Sequence, residues 1–275
     1  ILIQQKDSMK LGIGLSLTRQ RILGSDFSPS DISNLDLWYD FSTVTGSNGD
    51  AQASFTNAGL GGSDYNLAQS TAGLRPTLDT SELSLNSLDF DGDRFDLDNA
   101  YLTTGKTFSI FIVYEVDATA DVDTFIAGST GGNNQFGVYN QKNVTTRFNA
   151  DATGDMNSVE YIRTDQTTQD AGYGGSATST TAYTLTANPE ILVLTRGSDN
   201  EIKIYNKAGA LIGLSTSTTN NHEDTNFQID HIGGQSGGAS PNNGVIGEMG
   251  VYNKTLSASE VSDLITHLAD KWSIS

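Results

Sequence analysis

The chain has 275 residues, 36% of them hydrophobic and only 17% charged, which is enough apolar material for one large domain and too little charge for a disordered polyelectrolyte. Fifteen basic residues face 33 acidic ones, a formal net charge of −18. A field of that sign repels phosphate backbones and anionic membranes, and argues against nucleic-acid binding by the body of the chain. There is no cysteine, which removes disulfides, thiol catalysis and cysteine-ligated zinc together.

The acid is unevenly placed. Residues 1–25 carry Lys6, Lys10, Arg19 and Arg21 against Asp7 alone, a local net of +3, so the remainder carries −21. A cationic arm on an acidic body suits docking on a partner surface, or folding back on the body itself. The other reading is a frayed tail or a first strand. The apolar runs of the arm are too short to cross a bilayer, and it lacks the order of a signal peptide, in which basic residues precede an apolar stretch and a small-residue cleavage site. We take residues 1–28 as an assembly arm and 29–275 as the folded domain.

The chain's 29 glycines against four prolines, amid many Ser, Thr and Asn, predict tight turns between short strands. Phe108 to Val116 puts Phe108, Ile110, Ile112, Tyr114 and Val116 on one face, with Phe111 and Val113 among Ser109 and Glu115 on the other. Apolar residues on both faces predict a central strand. Ile191 to Thr195 reads the same way, whereas Glu201 to Tyr205 alternates, with Ile202 and Ile204 inward. Arg196 to Asn200 between them reads as a turn, making the pair a hairpin. Further strands are predicted around Leu37, Leu88, Phe125, Gly137, Thr146, Phe227 and Val251. So many strands in one chain predict an all-β, two-sheet antiparallel sandwich.

The stretch from Ala150 to Ala182 is rich in Gly, Ser, Thr and Asp and reads as an elaborated surface loop with room for a short hairpin. Tyr161, Tyr173 and Tyr183 cluster around it, either as contact rings or as pins holding the loop to the body. At the C-terminal end, Ser257 and Glu260 form a capping box with Leu256 and Val261 placed to staple it. Val261, Leu264, Ile265, Leu268 and Trp272 follow at helical spacing, so one amphipathic helix is predicted, laid on the sandwich by a single stripe.

Several segments, in order, resemble a known family. Leu35-Asp-Leu-Trp-Tyr-Asp40 is similar to the opening segment of concanavalin A-like, laminin-G-type jelly-roll domains, found in many phage and bacterial surface proteins. Asn57 to Asn66, Arg75-Pro76, and Leu88-Asp-Phe-Asp-Gly-Asp93 continue the likeness. Gly247 to Tyr252, Leu256 to Glu260, and Lys271-Trp272 resemble the closing signature. Two departures stand out: Phe55 occupies a position where relatives often have Trp, and their Ser-Gly turn is absent. The resemblance covers roughly residues 33–275 and implies a jelly-roll sandwich that binds or builds more often than it catalyses.

The chemical alternatives are thin. Glycoside hydrolysis needs two converging carboxylates. Glu115-Val-Asp117 begins a glucanase-like motif whose partner positions are Thr119 and Ala120, so the pair is incomplete, and Glu248 reads as a bracing carboxylate. His222, His231 and His267 are scattered, with no Gly-x-Ser-x-Gly elbow and no His-Glu-x-x-His pair, and read as surface or partly packed residues. No catalytic residue and no obligatory cofactor is predicted. Calcium is the one metal with a candidate, since Asp89, Asp91 and Asp93 on alternate positions of a strand could share an ion. The competing reading is a charged strand edge that discourages aggregation.

The resulting expectation is a non-enzymatic virion structural protein, a capsid decoration or fibre-associated surface module. Lys6, Lys10, Arg19 and Arg21 would dock it on capsid or tail proteins, and its outer loops would meet host surface polysaccharide. Neither nucleic acid nor membrane is expected as a partner, and a homo-oligomer in the assembly is. The alternative is a secreted or cell-surface bacterial carbohydrate-binding module, with an extracellular rather than virion-surface location. A polysaccharide depolymerase ranks third.

Overall fold

The computed structural model of the chain describes residues 27–102, 107–116, 122–127, 137–141, 159–162, 171–172, 178–179, 188–198, 202–215, 228–234 and 243–275. The arm residues Lys6, Lys10, Arg19 and Arg21 lie outside them, as do Asp117, Thr146, Tyr173, Tyr183 and His222.

Along the chain the strands run β1 (Leu35–Asp40), β2 (Ser54–Phe55), β3 (Leu67–Ala68), β4 (Thr77–Asp79), β5 (Ser87–Asp89) and β6 (Phe95–Leu102). Then come β7 (Phe108–Val116), β8 (Val122–Ala127), β9 (Gly137–Gln141), β10 (Val159–Ile162), β11 (Ala171–Gly172) and β12 (Thr178–Ser179). The last are β13 (Glu190–Arg196), β14 (Ile202–Tyr205), β15 (Leu211–Ser215), β16 (Gln228–Ile232) and β17 (Gly244–Tyr252), followed by helix α1 (Ala258–Trp272).

They form two sheets. One runs β12-β15-β14-β13-β7-β17-β5-β4, with β1 also paired to β17; the other runs β11-β10-β9-β8-β16-β6-β3-β2. Among the described residues all pairings are antiparallel except β9 with β10. The two-faced pattern of Phe108–Val116 explains the layering. Phe108, Ile110, Ile112 and Tyr114 join the core between the sheets, while Phe111 and Val113 join a second core under α1. β7 is central, with β13 on one side and β17 on the other.

The helix forms as predicted. Ser257 accepts the Glu260 amide and the Glu260 side chain accepts the Ser257 amide, which satisfies two of the first-turn donors reciprocally. Val261, Leu264, Ile265, Leu268 and Trp272 are buried in the second core together with Leu256. Asp270 is exposed on the opposite side.

Three expectations are corrected. Arg196 is the last residue of β13 rather than a turn residue: it pairs with Phe108 and Ile202 and is fully buried, because the hairpin turn begins one residue later. The 150–182 stretch contributes to both sheets. β10 and β11 pair with each other in one sheet, and β12 pairs with β15 in the other. Asp89, Asp91 and Asp93 do not alternate along a strand. β5 ends at Asp89, Gly92 has φ +80°, and the Asp93 amide donates to the Phe90 carbonyl at 3.0 Å, a turn that the glycine permits.

Candidate functional site

β1 pairs with β17 on one side only, and on its other side the backbone is met by the 57–62 loop. Strand alternation sends Leu37 and Tyr39 into the core between the sheets and leaves Trp38 and Asp40 half-buried on the opposite face. Asn57, itself buried, fixes the loop against the strand. Its Oδ1 accepts from the amides of Trp38 at 2.8 Å and Gly59 at 3.0 Å. Its Nδ2 donates to the carbonyls of Asp36 at 3.0 Å and Gly62 at 3.2 Å. The Ala58 amide donates to the Trp38 carbonyl at 2.9 Å, so both backbone groups of Trp38 are held.

This arrangement leaves an open groove of about 440 Å³, whose lining includes Trp38, Asp40, Thr43, Ser54, Phe55 and Thr56. Phe55 is half-buried and packs edge-on against Phe41, with centroids 4.8 Å apart, and against Tyr39. The two aromatic residues are therefore anchored from behind while contributing to the groove wall.

Behind the groove lies a buried charge network. The fully buried Glu248 carboxylate accepts the Trp38 indole N–H at 2.8 Å, the Trp272 indole N–H at 3.0 Å and the Lys271 ammonium at 2.6 Å. Lys271 reaches Asp40 Oδ2 at 2.7 Å as well. Asp40 Oδ1 accepts the amide of Ser42 at 3.2 Å and its hydroxyl at 2.6 Å. The Thr43 hydroxyl donates to the Asp40 carbonyl at 2.8 Å. Glu248 is thus the bracing carboxylate expected of it, and Trp272 the core anchor. The sequence did not reveal that the same carboxylate also holds Trp38, which lies far away in the chain. The visible signal was the pairing of a closing-strand glutamate with a terminal Lys-Trp.

The other candidates are placed differently. Asp93 is pushed up to about 6, by burial first and then by the nearby Asp89 and Asp91 carboxylates, so the three acids are close. Among the described residues, however, no group of three or more His, Asp or Glu side chains is arranged to hold a metal ion. His231, expected at the surface or partly packed, is buried. Its Nδ1 lies 2.8 Å from Asp96 Oδ1, on its register partner in β6, and its Nε2 3.3 Å from Asp230 Oδ1. His267 is partly packed against Phe27, with ring centroids 5.5 Å apart, and burial lowers its pKa. Among the described residues no helix is long and apolar enough to cross a membrane.

No protein-family model and no curated protein matches the chain. Solved structures do. Domain 4 of an extracellular GH43 arabinanase from Geobacillus stearothermophilus, in complex with arabinotriose, is 14% identical over 84% of this chain and 98% of its own, with a TM-score of 0.48. A Trypanosoma rangeli sialidase is 15% identical over 87% of this chain, with a TM-score of 0.47, and the match spans 33% of the sialidase. The ligand-binding domain of botulinum neurotoxin serotype D, in complex with N-acetylneuraminic acid, is 11% identical over 85% of this chain and 50% of its own, with a TM-score of 0.49.

Proposed function

We propose that the chain is a non-enzymatic carbohydrate-binding module, with the groove between Trp38 and Phe55 as its saccharide site. The observation that carries this reading is the wall chemistry. Two anchored aromatic residues flank a carboxylate and three hydroxyl side chains, which suits a sugar's apolar face and its hydroxyl rim together. Trp38 is pre-oriented through its indole N–H and both backbone groups, so ordering it on binding costs little.

The same geometry argues against hydrolysis. Asp40 is the only carboxylate among the described residues of the groove walls. Glu248, behind it, is fully buried and already accepts from three donors. A glycosidase needs two working carboxyl groups at the scissile bond.

The test is a glycan array followed by titration calorimetry with the bound glycan. Trp38→Ala and Phe55→Ala should each weaken binding about tenfold or more, on the scale of lost stacking contacts, with an unchanged far-UV spectrum. Wild-type affinity in both variants would remove the groove as the site. Product release from any bound polysaccharide would refute the non-enzymatic part.

A virion-surface role is the second reading, supported by the split between +3 over residues 1–25 and −21 elsewhere. Under it, Lys6, Lys10, Arg19 and Arg21 grip an acidic patch on a capsid or tail protein. Deleting residues 1–25 should then abolish incorporation into particles while the domain stays folded; normal loading would end this reading.

A further inference from the structure

We infer that the groove selects uncharged saccharides and excludes carboxylated ones; this rests on the saccharide reading above and specifies its ligand class. The charges gather around a single ammonium. Lys271 Nζ lies 2.7 Å from Asp40 and 2.6 Å from Glu248, so two carboxylates share one cation and the cluster carries a net −1. No cationic residue stands among the described groove walls. An anionic sugar entering between Trp38 and Phe55 meets Asp40 with its counter-charge already engaged, and the chain's overall −18 adds a long-range field of the same sign.

The hydrogen-bonding capacity of Asp40 points the same way. A carboxylate offers about four lone-pair sites. Oδ1 accepts from the Ser42 amide and hydroxyl, and Oδ2 accepts from Lys271, which leaves about one acceptor site by the same inventory. That site requires a donor, which a sugar hydroxyl is and a sugar carboxylate is not. The Thr43 hydroxyl already donates to the Asp40 carbonyl at 2.8 Å, so it faces a ligand as an acceptor and also asks for a hydroxyl. Recognition that demands a donor and offers no cation discriminates by repulsion as well as by fit.

The experiment uses matched probes: galactotriose against trigalacturonate, and lactose against 3′-sialyllactose, titrated by Trp fluorescence and calorimetry at low salt. The neutral member of a binding pair should bind about tenfold tighter or more, a size set by one unscreened like-charge contact. Asp40→Asn frees Lys271 of one carboxylate and should cut the discrimination to about threefold or less. Should that variant fail to fold, raising the salt on the wild type should strengthen the anionic probe relative to the neutral one, because screening acts only on the former. Equal or tighter binding of the anionic member, discrimination untouched by Asp40→Asn, or discrimination insensitive to salt would each overturn the inference. Absence of binding by every probe and by the wider array would overturn the saccharide reading itself, and this inference with it.

Discussion

Trp38 and Glu248 are 210 residues apart in the chain, and the indole Nε1–H of the first donates to Oε1 of the second at 2.8 Å. Through the other oxygen the same carboxylate holds Lys271 and Trp272 of α1. One buried anion therefore joins the groove wall, the closing strand and the terminal helix. Replacing it by Gln supplies one oxygen for three donors and turns an amide NH2 toward another donor. Glu248→Gln should lose about 3 kcal/mol of stability, the scale for removing one partner of a buried ion pair. Urea unfolding with an unchanged m-value is the check, and a spectral change from the two tryptophans should accompany it. A loss under about 0.5 kcal/mol, the level of an ordinary surface change, would show that the network does not brace the groove.

The 57–62 loop makes a second, independent support. Asn57→Ala removes four side-chain hydrogen bonds and leaves the Trp38 amide without its acceptor. Destabilisation of about 2–3 kcal/mol is expected, since each buried group left unsatisfied costs about 1–3 kcal/mol. Gly59→Ala attacks the same contact by bulk: a Cβ there would overlap the Asp36 carbonyl oxygen, a backbone atom with little room to yield. Both variants should weaken saccharide binding along with stability, because the loop holds the backbone of Trp38. Intact binding in a destabilised Asn57→Ala protein would separate the loop from the site.

The parts of this structure that were legible in the sequence are those encoded by local period. The double-faced run Phe108–Val116, the Ile191–Tyr205 hairpin, the two-sheet sandwich and the Ser257–Glu260 capping box all follow from spacing that neighbouring residues share. The groove was not legible. Trp38 and Phe55 were visible as motif positions, but they come from strands in different sheets, and only the fold brings both to one groove. Chain reversal was the other blind spot. The Asp-x-Asp-x-Asp pattern around Phe90 has strand period, yet Gly92 at φ +80° turns the chain within it. Likewise His231, expected at the surface or partly packed, is buried beside Asp96 of another strand, a pairing distant in the chain that periodicity does not carry.

The helix cap carries a pH signature. Burial disfavours ionised Glu260, but hydrogen bonds from Lys254 and from the Ser257 amide and hydroxyl outweigh it and hold the carboxyl below its ordinary value of 4.5. A depressed folded-state value means stability that is present above the ordinary carboxylate range and lost as pH falls through the folded-state value. The stability gap between wild type and Glu260→Gln should therefore be widest near neutrality and shrink as pH falls below the ordinary value of 4.5 toward the lower folded-state value. Ser257→Ala should cost about 1 kcal/mol, the usual loss of an N-cap hydroxyl. A gap that persists unchanged into acid would contradict the ionised cap.

Asp93 should behave with the opposite sign. Burial, Asp89 and Asp91 push it up to about 6 from an ordinary 3.8, so its ionised form is worse placed in the folded protein than in the unfolded chain. The resulting penalty is full above about pH 6, shrinks as pH falls, and is gone below the unfolded-state value. Asp93→Asn, which cannot ionise, should be more stable than wild type at pH 7 and equal to it near pH 4. Asp91→Asn should lower the Asp93 titration midpoint by removing one of the two charges that raise it, readable by carboxyl NMR. The two pH series also separate from each other: acidification should erode the advantage of Asp93→Asn first, from about pH 6 downward, and the deficit of Glu260→Gln only below its ordinary value of 4.5. If Asp93→Asn is instead less stable than wild type at pH 7, the Asp93 carboxylate is a net stabilising acceptor in its turn, and its hydrogen bonds there outweigh the repulsion among the three acids.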